Sequence, residues 1–318
     1  MSYELNPYFC SMQPNLIIIL GPTASGKTKL ATGIAAAIKT EIISADSRQV
    51  YRGMDIGTGK DLNEYSVNGY DIPYHLIDIV PAGERYHIDR FKKDFFDVFE
   101  QIIAKGKIPV LCGGTGLYID ALLGNFEYTA VPVNTQLRAQ LVDLPKTELE
   151  RLFSQLPDHP YKQKVDTSTA KRLIRGIEIV TYLNEHSFVP DEKPAIEPVI
   201  IGTAVSVEIR RKNIEKRLLQ RLQNGLIEEV QELRKVLSDE QLIYYGLEYK
   251  FITQYLAGEL NYETMSERLL VAIQQYAKRQ MTYFRKMEKD GKKIFWMDTN
   301  AGVTKHTIDT ALAHLSLK

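Results

Sequence analysis

The chain has 318 residues, and its 40 Lys plus Arg are balanced by 40 Asp plus Glu, a formal net charge of zero. That balance excludes a polybasic grip on nucleic acid, though not a local basic patch. With 44% hydrophobic and 25% charged residues the composition is that of an ordinary globular chain, which excludes a disordered one. The longest aliphatic run, residues 16–20, falls far short of the roughly 20 residues of a membrane span, and residues 1–15 lack the basic-then-apolar pattern of a leader. Two cysteines, Cys10 and Cys112, are too few for a disulfide framework or a Cys-rich zinc site. A reducing, cytoplasmic setting without a membrane partner is expected.

In chain order, residues 15–20 (NLIIIL) predict a buried strand, 27–38 a helix, 41–45 (EIISA) a strand, 90–105 an amphipathic helix and 108–112 (IPVLC) another strand. Strands alternating with helices predict an α/β fold whose parallel sheet is covered on both faces. From about Phe126 to Glu197 polar helical stretches are broken by Pro132, Pro145, Pro157, Pro160, Pro190 and Pro194, which predicts a helical insertion domain over 126–197 between a first core segment, 1–125, and a second, 198–318. Within the insertion Leu173, Ile174, Ile177 and Val180 follow helical spacing, placing Lys171 and Arg175 together on an exposed face. Residues 198–205 (PVIIGTAV) predict one more core strand. From residue 210 onward the chain reads as helices, with Ile214, Leu218, Leu222, Leu226 and Val230 forming one apolar stripe and Met265, Leu269, Ile273, Tyr276 and Phe284 a second.

The strongest motif is Gly21, Pro22, Thr23, Ala24, Ser25, Gly26, Lys27, Thr28, which fits G-x-x-x-x-G-K-[ST] directly after a strand and at the start of a helix. Its backbone N–H groups suit a phosphate at the positive end of the helix, Lys27 supplies charge, and the Thr28 hydroxyl is a candidate ligand for Mg²⁺. A P-loop nucleotidase also needs an acid at the end of a neighbouring strand. The strand over 108–112 ends instead in Gly113, Gly114 and Thr115, and Asp78 of HLIDIV reads better as a turn residue than as a ligand. Ordinary ATP hydrolysis is therefore disfavoured, and a small-molecule kinase with it. Asp46 follows the second strand and should face the P-loop crevice, where it is either a general base or a turn cap.

GPTASGKT, ISADSRQVYRGMDIGTGK, YHLIDIV, IPVLCGGTGLYIDALL, RLIRGIEI, RLQNGLIEEV and YAKRQMTYFR occur in the order seen in tRNA dimethylallyltransferases. The chain resembles the bacterial type of that family over nearly its whole length, which implies a P-loop NTPase-like core. The resemblance implies transfer of a dimethylallyl group from dimethylallyl diphosphate to N6 of adenine 37 in the tRNA anticodon stem-loop. It makes Asp46 the general base and places Arg217, which alone reads as a solvated helix charge, against the diphosphate with Thr23 and Thr115. It further implies tRNA contacts from Asp46, Ser47, Arg48, Gln49, Gly113, Lys171, Arg172, Arg175, Gly246, Leu247 and Glu248, with Mg²⁺ as cofactor and a monomeric enzyme. Ser168, Thr169, Ala170 replaces the family's Asn-Asp-Pro, so a hydroxyl is expected to cap the following helix. Residues 266–293 carry eight basic against three acidic side chains, a second candidate RNA surface.

Overall fold

A computed structural model describes residues 14–124, 127–189 and 192–315. Cys10, Phe126 and Pro190, and most of the segment read for a leader, lie outside them. The chain forms two compact units, one made of Met1–Gly124 with Pro194–Lys318 and the other of Asn125–Lys193.

The larger unit contains β1 (Leu16–Leu20), α1 (Lys27–Ile38), β2 (Ile42–Ser44), the small hairpin β3 (Ser66–Val67) and β4 (Tyr70–Asp71), β5 (Tyr74–His75), α2 (Ile88–Ala104), β6 (Val110–Gly113) and α3 (Gly116–Leu123). Its strands β2, β5, β6 and β1, with two strands from the C-terminal segment, β7 (Pro198–Ala204) and β8 (Ile294–Asp298), form a six-stranded parallel sheet in the order β5-β2-β6-β1-β7-β8. The fold class is α/β, as the alternation predicted. Every residue of β1 is buried because helices cover both faces. Leu16, Ile18 and Leu20 enter one core with Phe91, Phe95 and Phe99 of α2, while Ile17 and Ile19 enter the other with Leu30 and Ile34 of α1. The side-chain period of two thus divides one short strand between two cores.

One expectation fails beyond residue 210. The segment is not all helix: Ile294–Asp298 pairs in parallel register with β7, Ile200 opposite Ile294. This edge strand is only half-buried, with Phe295 exposed, so its apolar pattern is too weak to announce it. The stripe from Ile214 to Val230 is buried throughout but spans two helices, α7 (Val207–Gln223) and α8 (Leu226–Leu233), divided at Gly225, whose φ of +98° is left-handed.

The smaller unit packs α4 (Thr135–Leu141), α5 (Lys146–Gln155) and α6 (Ala170–Glu185) around Leu141, Leu149, Leu173, Ile174 and Ile177. The expected hydroxyl cap is present, since Thr169 Oγ1 accepts the Arg172 N–H at the start of α6. Arg175 does not share an exposed face with Lys171. It is half-buried and donates to the carbonyls of Thr129 and Val131 at 3.3 and 2.7 Å, so it ties a preceding turn to α6. Buried Glu178 accepts two hydrogen bonds from Arg138, at 3.0 and 2.6 Å, which keeps its charge compensated.

The C-terminal helices of the larger unit are α9 (Asp239–Tyr244), α10 (Leu247–Leu256), the 28-residue α11 (Tyr262–Lys289) and α12 (Lys305–His314). Among the described residues no helix is long and apolar enough to cross a membrane.

Candidate functional site

The site forms where β1, β2 and β6 end, and the P-loop is its floor. Gly26 caps α1 at φ +83° and Ala24 is also left-handed at +61°, the kind of backbone curl from which an anion-binding loop is made. The loop's outward groups are tied down from behind: Ser25 Oγ donates to Pro22 O at 2.8 Å and lies 2.6 Å from Thr203 Oγ1, and Thr299 donates to Ser25 O. The Ser25 hydroxyl is therefore committed to the protein. Gly21 is required for packing, since a Cβ there would stand 2.1 Å from Thr203 Oγ1. Thr23 N–H donates to Gln280 Oε1, and Gln280 Nε2 donates to Gly114 O, both at 2.8 Å, so a buried side chain of α11 clamps the P-loop to the end of β6.

Thr23, Lys27, Asp46, Ser47, Arg48, Thr115, Arg217, Gly246, Leu247 and Glu248 line one cavity of about 480 Å³. Residues as distant in sequence as Thr23 and Glu248 meet there because every strand of the parallel sheet delivers its carboxyl end to the same edge. Arg217 reaches across from α7 to donate to Thr23 Oγ1. Lys27 is half-buried on the cavity wall, and burial holds its ammonium below the usual lysine range. Beneath it the buried Cys112 thiol is pushed up to about 12 by burial, and so stays protonated. Burial also pushes the Glu248 carboxyl up, against the pull of Arg221 and Arg217.

Asp46 is a turn cap that also faces the cavity. Its Oδ1 accepts the Arg48 N–H at 2.9 Å, a turn cap, while the carboxylate lines the cavity. Thr115 Oγ1 accepts the Ser47 N–H at 3.2 Å, joining this turn to the start of α3 and leaving its own hydroxyl proton to donate elsewhere. Of the expected contact residues in the larger unit, Gly113 and Gln49 do not line the cavity. Gly113 is buried in the sheet, where a Cβ would stand 2.3 Å from Ala45 O. Gln49 holds Ser44 Oγ and Gly59 O, at 3.0 Å each, and so shapes the loop behind the cavity.

Asp78 is an ion-pair partner rather than a simple turn residue. Together with Asp55 it binds the buried Lys60, which also donates to Tyr51 O at 2.8 Å. The neighbouring loop is held by Glu229, which accepts from the N–H groups of Asp55, Ile56 and Gly57 at 2.7 to 3.0 Å. Lys60, Glu229 and Gln280 fall inside motifs that carry the resemblance, but their roles were not legible, because a polar side chain that locks a loop carries no periodicity. Tyr276, expected in the core, turns toward the cavity instead; burial and then the Asp46 charge push its hydroxyl up. At the rim the exposed Tyr244 ring is flanked by Arg48 and Arg85, 5.2 and 5.6 Å from its centroid.

For Mg²⁺ the donors suit a lightly held ion. Among the described residues no group of three or more His, Cys, Asp or Glu side chains could chelate a metal. The Thr28 hydroxyl shares a second, roughly 260 Å³ cavity with Asp61 and Glu64. One protein hydroxyl with ligand phosphate oxygens and water is a donor set that Mg²⁺ accepts.

A parallel sheet whose first strand runs into a G-x-x-x-x-G-K-[ST] loop and a helix, with no acid at the end of β6 beside it, defines a P-loop fold. Comparison with known proteins narrows this. The chain matches the IPP transferase family over residues 49–287 and the isopentenyl transferase family over residues 14–70. It is 50% identical to tRNA dimethylallyltransferase 1 of Azobacteroides pseudotrichonymphae and to tRNA dimethylallyltransferase 2 of Phocaeicola vulgatus, each match covering 89% of this chain and 92% of the relative. The full-length tRNA isopentenylpyrophosphate transferase of Bacillus halodurans superposes with a TM-score of 0.70 at 29% identity, covering 96% of both chains. The chain therefore belongs to the IPP transferase family.

Proposed function

We propose that the protein transfers a dimethylallyl group from dimethylallyl diphosphate to N6 of the adenine at position 37 of a tRNA, releasing diphosphate. The observation that carries this reading is the single cavity in which a cationic phosphate loop and the Asp46 carboxylate share a wall. The allylic C–O bond breaks, its electron pair leaves with diphosphate, the adenine nitrogen forms the new N–C bond, and the proton it loses passes to Asp46. The N–H groups of the loop, Lys27, Thr23 and Arg217 stabilise charge that grows on the leaving oxygen. Mg²⁺, held through Thr28, would neutralise part of the diphosphate charge. No water needs activation, so this reading requires no acid at the end of β6.

The exocyclic amine must leave the base stack to reach Asp46, so the adenine is taken from a single-stranded loop and flipped inward. Ser47, Arg48 and the 246–248 segment stand at the cavity to receive it, and the exposed Lys171 and Arg172 of α6 suit backbone phosphates. The test is incubation with unmodified tRNA and labelled dimethylallyl diphosphate, followed by digestion to nucleosides. Label in N6-dimethylallyladenosine supports the proposal; label confined to free dimethylallyl alcohol, or ADP formed from ATP and an alcohol acceptor, overturns it.

A further inference from the structure

Besides Arg217, the donor cavity is lined by Arg48, Arg279 and Arg221, of which Arg221 shares α7 with Arg217. Arg221 lies one helical turn beyond Arg217 on α7, lines the same cavity, and also borders a neighbouring cavity of about 570 Å³. Its side chain is only 12% exposed. Its Nη2 is buried and, among the described residues, makes no hydrogen bond. The carboxylate of Asp61 stands 3.5 Å away, outside hydrogen-bond geometry, and Asp61 itself is exposed, so its compensation is weak.

The backbone is cut to fit this group. Gly59, at φ +65°, passes so close that a Cβ there would stand 1.8 Å from Arg221 Nη2. The guanidinium is thus enclosed by a loop that gives it space and a weak ion pair but no hydrogen bond among the described residues. A buried donor without an acceptor is costly, and a charged one more so. The cost is raised by Arg217: burial, and after it the Arg221 charge, push the Arg217 guanidinium down to about 10. Two cations one turn apart, both largely out of water, are an arrangement that an incoming polyanion relieves.

We propose that Arg221 is a diphosphate-binding residue, a second guanidinium beside Arg217 that takes phosphate oxygens of the donor and keeps them after the allylic C–O bond breaks. This rests on the prenyl-transfer reading of the cavity. Arg217 is held by Thr23 at the P-loop edge, whereas Arg221 Nη2 has no hydrogen-bond partner among the described residues and would exchange its 3.5 Å approach to Asp61 for the anion. Anion binding then also separates the like charges, so the pair serves binding more than the unliganded fold.

The test uses inorganic pyrophosphate with Mg²⁺ as probe, read as thermal protection, alongside steady-state transfer to tRNA. Arg221→Met keeps length and removes charge; Arg221→Lys keeps charge and loses the fork. Arg221→Met is expected to raise the pyrophosphate concentration for half-protection, and the KM for dimethylallyl diphosphate, by about tenfold or more, with the KM for tRNA unchanged. Arg221→Lys should fall between, and it carries the measurement if the methionine variant does not fold. Asp61→Asn should leave pyrophosphate protection near that of the unaltered protein. Protection unchanged in both Arg221 variants, or an Asp61→Asn variant that reproduces the whole defect, overturns the proposal and makes Arg221 a loop anchor. If the unaltered protein gains no protection from pyrophosphate, the reading of the cavity itself fails, an outcome distinct from failure of the Arg221 assignment.

Discussion

Asp46 holds its turn with one oxygen, and that fact makes its chemistry testable without disturbing the fold. In Asp46→Asn the amide oxygen can still accept the Arg48 N–H that Oδ1 accepts now, at 2.9 Å, so the melting temperature should change little. What the amide cannot do is take the N6 proton. Turnover should fall by roughly 10² or more, with little change in the concentration of either substrate needed for half-maximal rate. A variant that melts early or loses donor affinity instead would make Asp46 a structural residue. The candidacy of Asp46 was legible because it follows a strand whose neighbour is the P-loop. That it caps a turn and faces the cavity at once was not, since a cap and a cavity acid use the same residue type at the same place.

At the scale of elements, the amino end of the sheet is held by a single buried carboxylate. Glu41, just before β2, receives Lys105 at 2.9 Å, Lys107 at 3.1 Å and His75 of β5 at 2.9 Å, so it binds an edge strand and the segment after α2 to one point. Although burial alone would raise it, the hydrogen bonds from Lys105, His75 and Lys107 bring Glu41 down to about 2, below its ordinary 4.5. A depressed carboxylate stabilises the fold fully above its unfolded value and loses that contribution as pH falls through the folded one. Glu41→Gln should therefore lower the melting temperature at neutral pH, and the gap between the two proteins should close between about pH 4.5 and pH 2. A gap that persists at pH 2 would mean the clamp works by packing rather than charge. Such clamps explain which elements the sequence showed. β1, α1 and β7 were legible within a residue or so because uninterrupted apolar runs declare a doubly covered parallel sheet. β8 was not, because an edge strand buries only one side and follows a long helix whose periodicity dominates its surroundings.

For the whole molecule, zero net charge means that RNA affinity must come from placed cations. Lys171 and Arg172 are exposed on α6, although Arg172 is shared with Asp166 at 2.7 Å, whereas Arg175 is bound to carbonyls of its own unit. Replacing Lys171 and Arg172 together with Ala should weaken tRNA binding and lower the salt slope by roughly 0.7 to 0.9 for each phosphate left without its cation. Arg175→Ala should instead destabilise the smaller unit by about 1–3 kcal/mol, because it strands buried acceptors. Filter-binding titrations over a salt series and thermal melts separate the two effects, and an unaltered slope in the double variant would move the tRNA to another surface. Helical spacing alone put Arg175 beside Lys171, since spacing places a residue on a helix but says nothing of the loop laid over it.

The claim on which the rest depends is that this phosphate loop holds a leaving diphosphate and not a nucleotide. Its most direct test is thermal melting with Mg²⁺ and either dimethylallyl diphosphate or ATP at equal concentration, in the unaltered protein and in Lys27→Ala. The account predicts that the prenyl donor at a hundredfold excess over its Kd stabilises by about 2.7 kcal/mol, that ATP protects far less, and that Lys27→Ala loses most of the effect. Equal protection by ATP, or protection by the prenyl donor that survives the loss of Lys27, would contradict it.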